Sequence, residues 1–265
     1  MKLNFIDSHA HLNDSAFDKD RDEVIQKSFS LGVNQIIEIA CEVPEWQLAV
    51  DICKKYPNQF YATAGIHPIE AATLTDENFD KLIEYLSFDN FRAVGEIGLD
   101  YFFEEDSPRK LQNEVFERQL ELAEKIQKPI VLHCRQSKLA DDYSVYEDMF
   151  CALKRYNLSG GVLHCFSGRE KDAYRALDLG YYIGINGIIG YKRNDEVREI
   201  IKKIGLKYLL LETDCPYLPP QSKRGTRNDS SNIPEIAQTL ADILGVSLEE
   251  VANITTSNSK SFYNI

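Results

Sequence analysis

Short apolar runs, rich in Ile, Val and Leu, alternate along this chain with longer segments whose apolar residues recur every three or four positions. The short runs read as strands buried on both faces and the longer segments as amphipathic helices. Leu3-Asn4-Phe5-Ile6 opens the first strand, which is expected to end at His11. Further strands are predicted over 35–40, 60–66, 91–98, 129–133, 161–164, 181–186 and 208–212. Helices are predicted over 18–31, 44–56, 74–86, 108–127, 143–155, 195–204, 233–244 and 248–262, with one more ending near Leu179. Eight strand–helix units of about 30 residues predict an α/β protein, a single (β/α)8 TIM barrel. No linker or break in composition divides the chain, so residues 1–265 form one predicted domain. A doubly wound open sheet is the competing architecture, but it calls for a glycine-rich phosphate loop after the first strand, and none is present.

Charge narrows the function. Thirty Lys and Arg against 42 Asp and Glu leave a formal charge of −12. That disfavours broad, salt-driven binding of nucleic acid, while permitting a local metal-lined pocket for a phosphate. The six cysteines (Cys41, Cys53, Cys134, Cys151, Cys165, Cys215) form no CxxC pair and no disulfide spacing. No signal peptide is expected ahead of the first strand, and no apolar run approaches the roughly 20 residues that cross a bilayer. A cytoplasmic protein is the expectation.

The chemistry lies at strand ends. In a barrel of this kind functional residues gather at the C-terminal ends of the strands. His9 and His11 are placed at the first such end, His67 at the third, Glu96 at the fourth, His133 at the fifth, His164 at the sixth and Asp214 at the eighth. Residues two apart on a strand share a face, so His9 and His11 can grip one ion from a rigid base. Four imidazoles and two carboxylates exceed what one tetrahedral ion needs and match a two-metal inventory. Glu96 is the expected bridge, with His9, His11 and Asp214 on the first ion and His133 and His164 on the second. Asp214 is also the expected general base toward a water between the ions. His67 and Arg135 carry the chemistry to grip a substrate anion.

Each residue has a plainer reading taken singly. Glu96 could pair with a lysine, His133 and His164 could be satisfied buried histidines, and Arg135 could be a surface ion-pair residue. Asp214, ahead of Cys215-Pro216, could cap a turn. Asp7 orients a histidine or is only a polar strand residue. Cys134 and Cys165 follow candidate ligands, but alternation turns them away, so they, like Cys41, Cys53 and Cys151, are expected to pack.

Taken together these blocks resemble the TatD family of metal-dependent deoxyribonucleases, within the amidohydrolase-like barrels. The resemblance is carried by residues 5–12 (FIDSHAHL), 64–68 (AGIHP), 94–101 (VGEIGLDY), 129–135 (PIVLHCR), 164–168 (HCFSG) and 211–218 (LETDCPYL). It implies hydrolysis of DNA phosphodiesters, often as a 3′→5′ exonuclease, with divalent metal and with DNA or oligonucleotide ends as substrate. It also implies metal-ligand roles for His9, His11, Glu96, His133, His164 and Asp214, and places His67 and Arg135 near the substrate phosphate. Arg227-Asn228 resembles the family's pair after strand eight, without the usual following proline. Gln136-Ser137 departs from the pattern, and residues 138–143 read as a local insertion. Family members are described as magnesium-dependent, whereas this imidazole-rich set favours zinc or manganese on ligand softness. No membrane and no obligate protein partner is expected. Two other readings compete: an amidohydrolase or lactonase acting on a small ester or amide, and a non-catalytic metal-binding protein.

Overall fold

The computed structural model describes residues 3–138 and 144–265. Eight parallel strands lie in the order β1 to β8: Phe5–Ala10, Val33–Ala40, Phe60–Ala64, Phe91–Asp100, Ile130–Arg135, Gly161–Leu163, Tyr182–Ile185 and Leu209–Leu211. The ring closes where Ala10 bridges Cys215 in parallel, with the Asp214 N–H donating to His9 O and the His11 N–H to Cys215 O, both at 2.9 Å. The predicted TIM barrel is thus the observed fold.

The α-helices α1 to α9 are Arg21–Ser30, Glu45–Lys55, Asp76–Leu86, Arg109–Ile126, Val145–Leu153, Glu170–Asp178, Asp195–Ile204, Ile233–Leu244 and Leu248–Tyr263. Helix α1 starts three residues later than expected, because Asp14 caps a separate turn of 3₁₀ helix at Ser15–Phe17. Tyr143, the expected start of α5, lies outside the described residues, as does most of the expected insertion. No described helix is long and apolar enough to cross a membrane. Cys151 is exposed on α5, which corrects its expected packing role, whereas Cys41, Cys53 and Cys215 are buried.

Two apolar layers hold the barrel. Ile6, Ile37, Ile39, Ala93, Val131, Val162 and Leu210 fill the interior, and Phe262 and Tyr263 at the end of α9 pack against them. A larger cluster, including Phe5, Ile36, Val94 and Ile97, packs between strands and helices.

Two departures from regular pairing decide what the interior presents at its mouth. Between Asp7 and Ala10 of β1, three steps run beside two of β2 (Ile36 to Glu38). Between Val94 and Ile97 of β4, three steps run beside two of β5 (Ile130 to Leu132). An extra residue reverses which face the following side chains occupy. Ile6 and Ala93 therefore point inward low in the barrel, and His9, His11 and Glu96 also point inward above them, where strict alternation would turn His9 and Glu96 out. Only glycine suits position 95, where a Cβ would stand 2.6 Å from Val131 Cβ. Glu96 was expected to end its strand; it is the sixth of ten residues, and β4 runs on to Asp100.

Candidate metal centre and active site

Seven side chains delivered by six strands meet at the mouth of the barrel. His9 Nε2 lies 3.2 Å from His11 Nε2 and 3.2 Å from Glu96 Oε2. Asp214 Oδ1 lies 3.7 Å from the first imidazole nitrogen and 3.5 Å from the second. On the other side of the same carboxylate, Glu96 Oε1 is 2.7 Å from His133 Nδ1 and 2.8 Å from His164 Nε2. His67 joins this set, with Nε2 3.8 Å from Glu96 Oε1 and its ring 4.4 Å from that of His133. Glu96 thus has one oxygen toward each histidine group.

Each position has a local cause. β1 carries His9 inside the strand and His11 just beyond it, and β5 carries His133. His164 directly follows β6. Asp214 sits in left-handed backbone at φ 57°, just after β8. The buried Asp7 carboxylate accepts from Thr213 N at 2.9 Å, Thr213 Oγ1 at 2.6 Å and His9 N at 3.3 Å. It therefore acts on His9 through the backbone, tying β1 to the strand end that carries Asp214. Burial pushes the Asp7 carboxyl up to about 7. Asn228 is buried and holds the loop after β8, donating to Thr213 O at 2.9 Å and Tyr217 O at 2.6 Å. Arg227 turns away from the mouth and pairs with Asp20 at 2.6 Å.

The electrostatics are those of a dense, buried cluster. Burial raises the Glu96 carboxyl, but the imidazoles, His164 and His9 foremost, outweigh it and hold it well below the usual range. Burial also opposes charge on His11, yet Asp214 and Glu96 lift it to about 9. His164 is likewise raised against burial by Glu96 and Glu212. His9 is lowered by burial and by His164, and His67 falls to about 3 through burial and His133.

The donor set fits divalent cations. Among the described residues no Lys or Arg nitrogen reaches Glu96 or Asp214, so imidazoles alone face two buried carboxylates. Separations of 3.2 to 3.7 Å among His9, His11, Glu96 and Asp214 match four ligands held by one ion at bonds near ~2.1 Å. His9 Nδ1 is buried without a hydrogen-bond partner, which leaves Nε2 as the nitrogen facing the centre. Two triads, His9–His11–Glu96 and Glu96–His133–His164, share Glu96.

Two carboxylates lay in the motifs without being assigned a role. Asp100 Oδ2 stands 2.9 Å from His133 Nε2 and forms a further triad with His67 and His133. Four residues past Glu96 on the same strand, it shares that inward face by simple alternation. Glu212 lies two residues past the inward Leu210; it accepts from Cys165 N at 2.6 Å and lies 3.6 Å from His164 Nδ1. A Cβ at Gly184 would run into that carboxylate. A glutamate closing the run Leu209-Leu210-Leu211 was the available signal. Arg135 stands at the rim, exposed, with its guanidinium 3.9 Å above the Phe102 ring, beside the cluster rather than in it.

A (β/α)8 barrel with this imidazole and carboxylate mouth defines a metal-dependent hydrolase. The chain belongs to the TatD-related DNase family, whose model matches residues 6–264. It is 33% identical to the uncharacterized metal-dependent hydrolase YabD of Bacillus subtilis (strain 168), covering 98% of each chain. It is 31% identical to the 3′-5′ ssDNA/RNA exonuclease TatD of Salmonella typhimurium (strain LT2), again over 98% of each. Among solved structures, the TatD homologue YjjV of Escherichia coli K12 superposes with a TM-score of 0.91 at 30% identity, covering both chains fully. An organophosphorus hydrolase of Deinococcus radiodurans, with a TM-score of 0.63 at 11% identity, shares the fold alone.

Proposed function

We propose that this chain is a nuclease hydrolysing the phosphodiester bonds of single-stranded DNA or RNA from a chain end, with two divalent cations. The observation that carries the reading is the position of Glu96, one oxygen toward His9 and the other toward His133 and His164. His9, His11, Asp214 and Glu96 would hold one cation, and Glu96, His133 and His164 the second. When bound, such cations lower the pKa of a coordinated water and neutralise phosphate charge. The imidazole donors favour manganese or zinc over magnesium.

The chain's own groups account for the remaining steps. Water attacks phosphorus, the ester P–O bond on the far side breaks, and the leaving alkoxide takes up a proton. Asp214 is held below the usual carboxylate range: burial opposes this, and His11 and the other imidazoles prevail. It is therefore an anion that receives the proton of the attacking water. His67 Nδ1 accepts from the Ile69 N–H at 3.2 Å, which places its ring proton on Nε2. That N–H faces the centre, where it donates to a phosphate oxygen, and Arg135 meets the next phosphate at the rim. All six cysteines are free thiols, so a reducing, cytoplasmic setting belongs to this reading.

The test is cleavage of a labelled single-stranded oligonucleotide beside a panel of carboxylic esters, lactones and amides, with and without chelator. The proposal expects chelator-sensitive release of mononucleotides. Turnover of the esters, lactones or amides alone would establish the amidohydrolase reading instead.

A further inference from the structure

Tyr217 differs from the other exposed large apolar side chains by where it stands. Leu31, Ile83, Phe88, Tyr174 and Leu179 lie on the outer helices or at their ends. Tyr217 follows Asp214 by three residues in the loop after β8, and it is 55% exposed. Its ring centroid is 6.2 Å from that of His11, at the edge of the metal centre.

The ring is exposed but fixed. Its backbone N–H donates to Asp214 O at 2.9 Å, and its carbonyl accepts from the buried Asn228 at 2.6 Å. Its hydroxyl donates to Asp14 Oδ2 at 3.1 Å. Held at backbone and phenol, it presents a flat apolar surface with little side-chain freedom left to lose on binding. An aromatic face beside a phosphate-cleaving centre suits a nucleobase, since every base can stack on it.

The charges around the mouth say which base. The loops after β1, β2 and β3 carry Asp14, Glu42 and Glu70. They lie close enough that, after burial, Glu70 and Asp14 push the Glu42 carboxyl up. Across the mouth Arg135 and Lys138 each lie 3.9 Å above the Phe102 ring, past the end of β4. A phosphate backbone is drawn toward these cations and repelled from the acidic side. The base at Tyr217 is therefore one with no phosphodiester beyond it.

We propose that Tyr217 is the stacking platform for the terminal nucleobase of a single-stranded substrate, the rest of the strand leaving over Arg135 and Lys138. This rests on the nuclease reading above. The test compares wild type, Y217A, Y217L and Y217F on a natural oligonucleotide and on the same strand with abasic tetrahydrofuran residues at both ends. On the natural strand Y217A and Y217L each lose roughly tenfold or more in kcat/KM, carried by KM, while Y217F, which keeps the ring and gives up only its tether to Asp14, loses about twofold at most. On the abasic-ended strand wild type suffers the same loss and the variants add none. Equal losses by Y217A on both strands, or recovery in Y217L, would overturn the platform and leave Tyr217 as a packing residue. Failure of wild type to cleave either strand is a separate result, which removes the nuclease reading and this inference with it.

Discussion

Glu96 and His9 meet at 3.2 Å because β1 and β4 each carry one extra residue in the short stretch that holds them. Without those residues the alternation set by Ile6 and Ala93 would turn both side chains out toward the helices. The candidate metal centre thus depends on an irregularity in each of these two strands, and Glu96 lies between its two histidine groups.

Replacing Glu96 by alanine is accordingly expected to empty both halves. Elemental analysis of the purified variant should find fewer than two ions per chain, and turnover should fall at least ~100-fold. E96Q, which keeps the volume and one oxygen, should fall between. Retention of two ions per chain by the alanine variant would exclude a bridging role.

Asp214 separates chemistry from folding. Its backbone N–H, not its carboxylate, helps to close the barrel through His9 O at 2.9 Å. D214N should keep the wild-type melting profile within a few degrees while single-turnover cleavage slows by about 10² to 10⁴. An unchanged single-turnover rate would remove Asp214 as the base.

Arg135 is exposed at the end of β5 and rests on Phe102, and the proposed function has it meet a substrate's second phosphate. R135A should raise KM for oligonucleotides about tenfold, with a smaller effect on a dinucleotide, which lacks the outer phosphate. Equal losses on both substrates would place its contribution at the scissile group instead.

What the sequence disclosed followed from periodicity. Runs such as Gln35-Ile36-Ile37-Glu38-Ile39-Ala40 and the helical spacing after each fixed the element order, and counting eight of them fixed the barrel. Five histidines at strand ends announced a mouth. The extra residues in β1 and β4 were hidden because a bulge is a relation between two strands, and neither strand's residues record it alone. Asp100 was missed because the fourth strand was expected to end at Gly98, whereas β4 runs on to Asp100 and alternation from Glu96 turns that carboxylate inward. Glu38 escaped for a different reason: it was read only as part of the second strand, and nothing in a run of isoleucines marks it as the carboxylate buried behind the loop that follows His11.

Glu38 gives the chain a measurable pH dependence. Its Oε1 accepts from Asn13 N at 2.8 Å, while Oε2 is buried without a partner among the described residues. Burial pushes the carboxyl up to about 8, against the pull of the Asn13 N–H, His11 and Arg21 and with the added push of Glu45. An unfolded chain releases this proton near pH ~4.3, so between that value and about 8 the folded state holds a proton that the unfolded state has lost. Stability from this group is therefore full at low pH, declines as pH rises through the window, and is flat above it. Glutamine keeps the acceptor and cannot ionise. E38Q should match wild type within a few degrees in thermal midpoint near pH ~4.5 and exceed it by several degrees near pH ~8.5. A difference between the two proteins that does not change across this range would show that the Glu38 carboxyl is ionised in the folded chain throughout.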